Sequence, residues 1–234
     1  MFILLKPLTV ANPIYNITPF TLLDYPDITA CILWFAGCNM RCLYCYNPDI
    51  VDGKGRYSYE DAIRFIRTRK QLLDGVVLSG GECTSHRQLL TFCKQLKEEG
   101  MMIKIDTNGT NPDVIRDLHT AGLVDYIALD YKAPASKSAF ITQSLLYPKI
   151  ETSLRMLLKS DIPFEIRTTI HTDLLNEEDL QEMIVFLEKE GFRGKLFIQH
   201  FVNDSRTIGQ LPNIVSRIDP TKVTSSVIET VFRN

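Results

Sequence analysis

Long apolar runs are missing from this 234-residue chain, so no stretch of it is expected to span a bilayer. The apolar start, Met1-Phe-Ile-Leu-Leu-Lys6-Pro7, has neither a basic flank nor a small-residue cleavage site and runs into proline, which argues against a secretory signal. Charge of one sign is also scarce. With 26 Lys and Arg against 28 Asp and Glu, the formal net charge is -2, and no electrostatic footprint for nucleic acid is present. Cysteine is sparse too: 6 in 234 residues, without a secretory signal, is too few for a disulfide framework. There is no internal repeat, low-complexity segment or interdomain linker. At 45% hydrophobic and 23% charged, residues 1–234 read as one globular domain.

Against that background the run Cys38-Asn-Met-Arg-Cys42-Leu-Tyr-Cys45 is unusual. Its spacing lets one short loop fold three thiolates around a single metal centre and leaves that centre one ligand short. A structural zinc knuckle would bring a nearby fourth Cys or His, and Tyr46 and Asn47 stand there instead. Cys31, Cys83 and Cys93 lie outside the local spacing and read as small buried side chains. An iron-sulfur cube held by three thiolates keeps one iron free for a small molecule. Free thiolates need a reducing compartment, which points to the cytoplasm.

Strand and helix patterns alternate along the chain. Strands are expected at Ile28 to Phe35, Gly75 to Ser79, Met101 to Asp106, Tyr126 to Tyr131, Phe164 to Ile170 and Lys195 to Phe201. Between them, Ser58 with Asp61 forms a helix-start signal, and Asn111-Pro112 opens a helix that Gly122 closes. Ile150 to Lys159 reads as helix, and Asn176 caps another that ends at Gly191. Residues 203–220 read as loop, and Val223, Val227, Ile228 and Val231 suggest a last helix, so 203–234 is expected as a C-terminal loop and helix.

Six strands separated by helices imply an α/β fold with a parallel sheet, and the polar residues select an incomplete (β/α)6 TIM-like barrel. The cysteines follow strand one, Gly80-Gly81-Glu82 follows strand two, and Asp106-Thr107-Asn108-Gly109 follows strand three. Asp130-Tyr131-Lys132 follows strand four and His200 falls late in strand six. In a barrel these carboxyl ends share one mouth.

The cysteine run followed by Gly-Gly-Glu resembles the radical S-adenosylmethionine (SAM) superfamily. Within it, Thr18–Pro26, Asn47-Pro48, Asp106–Gly109 and Leu129–Pro134 resemble the anaerobic ribonucleoside-triphosphate reductase activating proteins, among the glycyl-radical enzyme activating enzymes. The resemblance covers roughly 17–201. It implies a 4Fe-4S cluster on Cys38, Cys42 and Cys45, with SAM chelating the open iron and being cleaved to methionine and a 5′-deoxyadenosyl radical. It places Tyr44 against the adenine, and Gly80 and Gly81 where a Cβ would obstruct SAM. Glu82 would accept from the chelating amino group or brace its loop. Asn47, Thr107, Asn108, Lys132 and His200 match positions near SAM, with Lys132 facing its carboxylate and His200 its ribose or adenine. Asp106 and Asp130 would hold a monovalent cation or orient neighbours. Two departures from the relatives are Tyr46, where His is common, and Cys83, where Pro is common.

The partners the resemblance implies are an anaerobic ribonucleotide reductase and a flavodoxin- or ferredoxin-type electron donor, with neither nucleic acid nor membrane. No cysteine follows Cys93, which leaves no room for auxiliary clusters. The competing expectations are a small-molecule radical enzyme such as a carboxy-deazaguanine synthase, an activator of another glycyl-radical enzyme, and a noncatalytic iron-sulfur or zinc module.

Overall fold

The computed structural model describes residues 12–233, so the Met1–Pro7 start lies outside the described residues. The chain enters through an edge strand, β1 (Ile14–Thr21), antiparallel to β2 (Ala30–Phe35), with Ile14 opposite Phe35 and Thr21 opposite Ala30. β1 is not expected from the sequence. Pro19 interrupts its apolar pattern, and proline, which has no N–H to donate, is tolerated on an edge. β2 itself starts at Ala30, two residues after the expected Ile28.

After β2 and the cysteine loop come the short α1 (Pro48–Val51) and then α2 (Tyr59–Arg67). α2 starts in a reciprocal cap: Ser58 Oγ accepts from Asp61 N–H, and the Asp61 carboxylate accepts from Ser58 N–H. Then follow β3 (Gly75–Gly80), α3 (Leu89–Glu98), β4 (Met102–Thr107), α4 (Pro112–Thr120) and β5 (Tyr126–Asp130). Asn111 precedes α4 without a side-chain cap bond, because its amide instead reaches Thr84 Oγ1 at 2.9 Å and Ser85 Oγ at 3.2 Å.

Two helices join β5 to β6 (Phe164–Ile170): α5 (Ala135–Thr142), which the sequence does not announce, and α6 (Tyr147–Leu157). α7 (Glu177–Glu190) carries a second reciprocal cap from Asn176 and Asp179 and stops at Gly191, whose φ of 98° suits a residue without a Cβ. β7 (Lys195–His200) follows. The expected last helix is instead β8 (Glu229–Arg233), parallel to β7 from Lys195 opposite Glu229 to Gln199 opposite Arg233. Ser225 Oγ, accepting from the N–H groups of Val227 and Ile228, spends the start of the apolar spacing on a turn. The β-branched remainder then completes the open ladder of β7.

The strands lie in sequence order β1 to β8, all parallel from β2 onward, and β1 does not pair with β8. The sheet is therefore an incomplete barrel around the six expected strands. Alternation assigns its two faces. Leu33, Leu78, Ile105, Leu129, Ile166 and Ile198 are buried in the large apolar core with the helices. The opposite parity faces the hollow. Its foot is closed by Tyr25, Ala30, Ile32 and Val77, and the upper positions are polar. Among the described residues no helix is long and apolar enough to cross a membrane.

Candidate functional site

The cysteine loop leaves the carboxyl end of β2 and is held by backbone bonds from three directions. Gly37 N–H donates to Ile50 O at 2.9 Å. The N–H groups of Arg41 and Leu43 donate to the last carbonyls of α5, Thr142 O at 3.0 Å and Ile141 O at 2.9 Å. From the far end of the chain, Gly209 N–H donates to Leu43 O at 2.8 Å and Ile208 N–H to Cys45 O at 3.3 Å. Tyr46, where relatives often carry His, accepts from Val202 N–H at 2.8 Å and rests its ring 5.3 Å from Phe201.

Held this way, Cys38, Cys42 and Cys45 all line one open hollow at the carboxyl ends of the strands. No other cysteine lines it. Cys31, Cys83 and Cys93 are fully buried, and the Cys83 sulfur lies 3.6 Å from the carbonyls of both Leu78 and Asp106. Burial pushes the Cys42 thiol up to about 11 and raises Cys38 as well, so as free groups they favour the neutral form; a coordinating cation reverses that preference. Three thiols with no fourth cysteine on the hollow are the donor set of a cluster that takes one thiolate per iron and leaves one iron without a cysteine.

The second loop packs against the first. Gly81 N–H donates to Phe35 O and Glu82 N–H to Gly37 O, each at 2.9 Å. A Cβ on Gly81 would lie 1.8 Å from Gly37 O, and one on Gly80, whose φ is 115°, would lie 2.4 Å from Phe35 N. Both glycines line the hollow, where the sequence reading has them clear space for a cofactor, and a Cβ on either would in addition collide with the end of β2 or the cysteine loop.

Glu82 is fully buried and does not line the hollow. Its Oε1 accepts from Thr84 N–H at 3.0 Å, Thr84 Oγ1 at 2.5 Å and Thr107 Oγ1 at 2.9 Å, and its Oε2 accepts from Asn108 N–H at 2.7 Å. Of its two expected roles it has the bracing one. Burial raises its pKa, and the hydrogen bonds offset that only in part.

Thr107 and Asn108 line the hollow at the end of β4, and Tyr44, Asn47, Asp130 and Lys132 join them. Tyr44 is 4% exposed and donates its hydroxyl to Lys132 O at 3.4 Å. Asp106 accepts from Ser79 Oγ at 3.0 Å and pairs with Lys104 at 2.8 Å and Arg167 at 3.4 Å. Asp130 pairs with Arg167 at 3.0 Å and Lys132 at 3.3 Å. Burial alone would raise the Asp130 carboxyl, but Arg167 and Lys132 outweigh it and hold it below the usual range. The two aspartates expected to hold a monovalent cation already have three side-chain cations on them.

His200 is not brought to this hollow. It lines a separate one with Phe201, Val202 and Ile214, and its ring stacks on Phe232 at 5.7 Å. The reason is alternation: His200 lies opposite Ile170 and shares the strand face of Ile198, which packs on the helices, and Phe232 of β8 covers it there. Trp34, Ser79, Arg167 and Thr169 face the hollow or its charged tier and are not among the residues the sequence singles out. Strand parity is the signal that could have found them, once the sheet register is known.

The family model for the Radical SAM superfamily matches residues 32–189. MJ1227 of Methanocaldococcus jannaschii, assigned to the glycyl-radical enzyme activating enzymes, is 30% identical over 175 residues, 72% of each chain. The pyruvate formate-lyase-activating enzyme of Clostridium pasteurianum is 34% identical over 107 residues, 43% of this chain and 44% of that one. Among solved structures, Streptococcus suis SuiB bound to S-adenosylmethionine superposes with a TM-score of 0.64 at 14% identity, over 87% of this chain and 52% of that one. The match thus spans about half of SuiB and less than half of the clostridial enzyme. On the family match and the MJ1227 similarity, the chain belongs to the radical SAM superfamily, among the glycyl-radical enzyme activating enzymes.

Proposed function

We propose that the protein is the activating enzyme of an anaerobic ribonucleoside-triphosphate reductase, generating a glycyl radical on that partner. The observation that carries the chemistry is the convergence of three thiols, without a fourth cysteine, on one hollow at the carboxyl ends of the strands. Cys38, Cys42 and Cys45 hold a 4Fe-4S cluster in this reading. When bound, such a cluster would supply one-electron reduction of the SAM sulfonium, splitting it to methionine and a 5′-deoxyadenosyl group able to take a hydrogen atom from a glycine α-carbon.

The chain's own residues set the geometry. Tyr44, Thr107, Asp130 and Lys132 surround the space for SAM, and Lys132 neutralises its carboxylate while remaining paired with Asp130. The cationic tier of Lys104, Arg167 and Lys132 serves in place of a monovalent cation. β1 and β8 do not pair, and in this reading a glycine-bearing loop enters from the side of the unclosed sheet. The segments Thr18–Pro26, Asn47-Pro48, Asp106–Gly109 and Leu129–Pro134 favour the reductase over pyruvate formate-lyase as partner. A flavodoxin or ferredoxin in the same reducing, cytoplasmic setting would supply the electron.

The test is anaerobic reconstitution with iron and sulfide, followed by assay for 5′-deoxyadenosine and, with candidate reductase added, for a glycyl radical by electron spin resonance. Metal bound without SAM cleavage would make the protein a binding module. Cleavage that leaves the reductase radical-free while a pterin or purine analogue is turned over would make it a small-molecule enzyme.

A further inference from the structure

Asn108 touches more than the hollow. Its side-chain amide is oriented by an obligate donor: Thr110 N–H donates to Asn108 Oδ1 at 3.0 Å, which requires that atom to be the carbonyl oxygen. Thr110 Oγ1 donates to the same oxygen at 2.6 Å. Asn39 Nδ2 in turn donates to Thr110 Oγ1 at 2.7 Å. The Asn108 NH2 group is thereby turned to the cysteine loop, where one hydrogen is directed to Asn39 Oδ1 at 2.9 Å and the other to Cys38 Sγ at 3.9 Å. From below, the Glu82 carboxylate fixes the Asn108 backbone N–H at 2.7 Å.

The three sulfurs are not equivalent in this respect. Cys38 Sγ also receives Met40 N–H at 3.4 Å, so a backbone and a side-chain donor converge on it. Hydrogen bonds to cluster sulfurs are among the levers that set the potential of an iron-sulfur centre. An N–H dipole aimed at a thiolate favours the state carrying one more negative charge, which is the reduced state.

We propose that Asn108 is a positioning residue for electron transfer: it donates to the Cys38 thiolate and raises the reduction potential of the cluster, with Thr110 and Glu82 holding it in register. The proposal rests on the cluster reading above but not on the identity of the partner protein. It differs from the expected role of Asn108 as a SAM contact, because it acts when SAM is absent.

The experiment is a potentiometric titration of the reconstituted, SAM-free protein followed by electron spin resonance, in wild type, Asn108→Asp and Asn108→Leu. Asn108→Asp keeps an acceptor for Thr110 and removes the donor to sulfur; Asn108→Leu keeps the size and removes both. At the wild-type midpoint, the ratio of reduced to oxidised cluster is expected to fall about tenfold in Asn108→Asp, which is about 59 mV for one electron, and about threefold in Asn108→Leu. Pulsed resonance should also lose the coupling of one exchangeable proton in both. A ratio unchanged within about twofold in Asn108→Asp, or iron lost from both variants, overturns the proposal. So does weaker SAM binding with an unmoved SAM-free midpoint, which would return Asn108 to the cofactor. Absence of iron from the wild type would instead defeat the cluster reading itself.

Discussion

The two halves of the sheet are built from similar strands but do different things at their carboxyl ends. After β2, β3 and β4 the loops bond to one another: Gly81 and Glu82 bond to the end of β2 and the cysteine loop, while Asn108 reaches Glu82 through its backbone and the cysteine loop through Asn39. After β7 the chain backs the cysteine loop through Val202, Ile208 and Gly209 without adding a residue to the hollow, and His200 faces a different hollow beside Phe232. The second half contributes Arg167 and Thr169 from within its strands and leaves an open edge at β8. Shared strand ends are therefore not enough to make one site; the chemistry collects where successive loops satisfy each other's backbone groups.

The sharpest way to break this contrast is to attack the first half. Cys42→Ser should abolish both iron binding and SAM cleavage, read by iron content and 5′-deoxyadenosine; a wild-type rate from this variant would contradict the ligand assignment. Gly81→Val comes next. Because its Cβ would meet Gly37 O at 1.8 Å, iron uptake should fall together with SAM binding, at a stability cost of roughly 3 kcal/mol by thermal melting. Intact iron with only SAM lost would mean that the glycine serves the cofactor and not the loop.

Glu82→Gln should cost about 1–3 kcal/mol, since one of its bonds becomes a donor facing a donor. The wild type should also carry a pH signature. With the Glu82 pKa raised by burial, the folded state binds more protons than the unfolded one above the ordinary glutamate range of about 4.3. Stability should fall as pH rises from there to the raised value and then level off. Chemical denaturation across that range should show the decline in wild type and lose this component in Glu82→Gln. At the small end, His200→Phe should leave iron content unchanged and SAM affinity within about twofold, roughly 0.4 kcal/mol. A larger loss would bring the second half into the site.

Much of the frame was legible because its signals are local. The reciprocal caps at Ser58 and Asn176, the stop at Gly191 and the apolar runs of β3 to β6 each need only a few neighbouring residues. The cysteine loop is equally local, and its three thiols do share one hollow. Elements that depend on a remote ladder were not legible. β1 is defined by its register with β2 despite Pro19, and β8 exists because β7 offers it an edge. The same division runs through the site. Glu82 as brace depends on where the Asn108 backbone lies, and the face His200 takes depends on the register of β7 in the sheet, which puts it with Ile198 and Ile170.

The bonds from Ile208 and Gly209 to the cysteine loop reach across most of the chain's length. During synthesis, Cys38 to Cys45 would leave the ribosome long before the segment that backs them. Metal insertion is then expected late in biogenesis, and until it occurs the nascent thiols would depend on the reducing power around them. Iron incorporation measured on ribosome-stalled chains of increasing length would show the onset only once Gly209 has emerged.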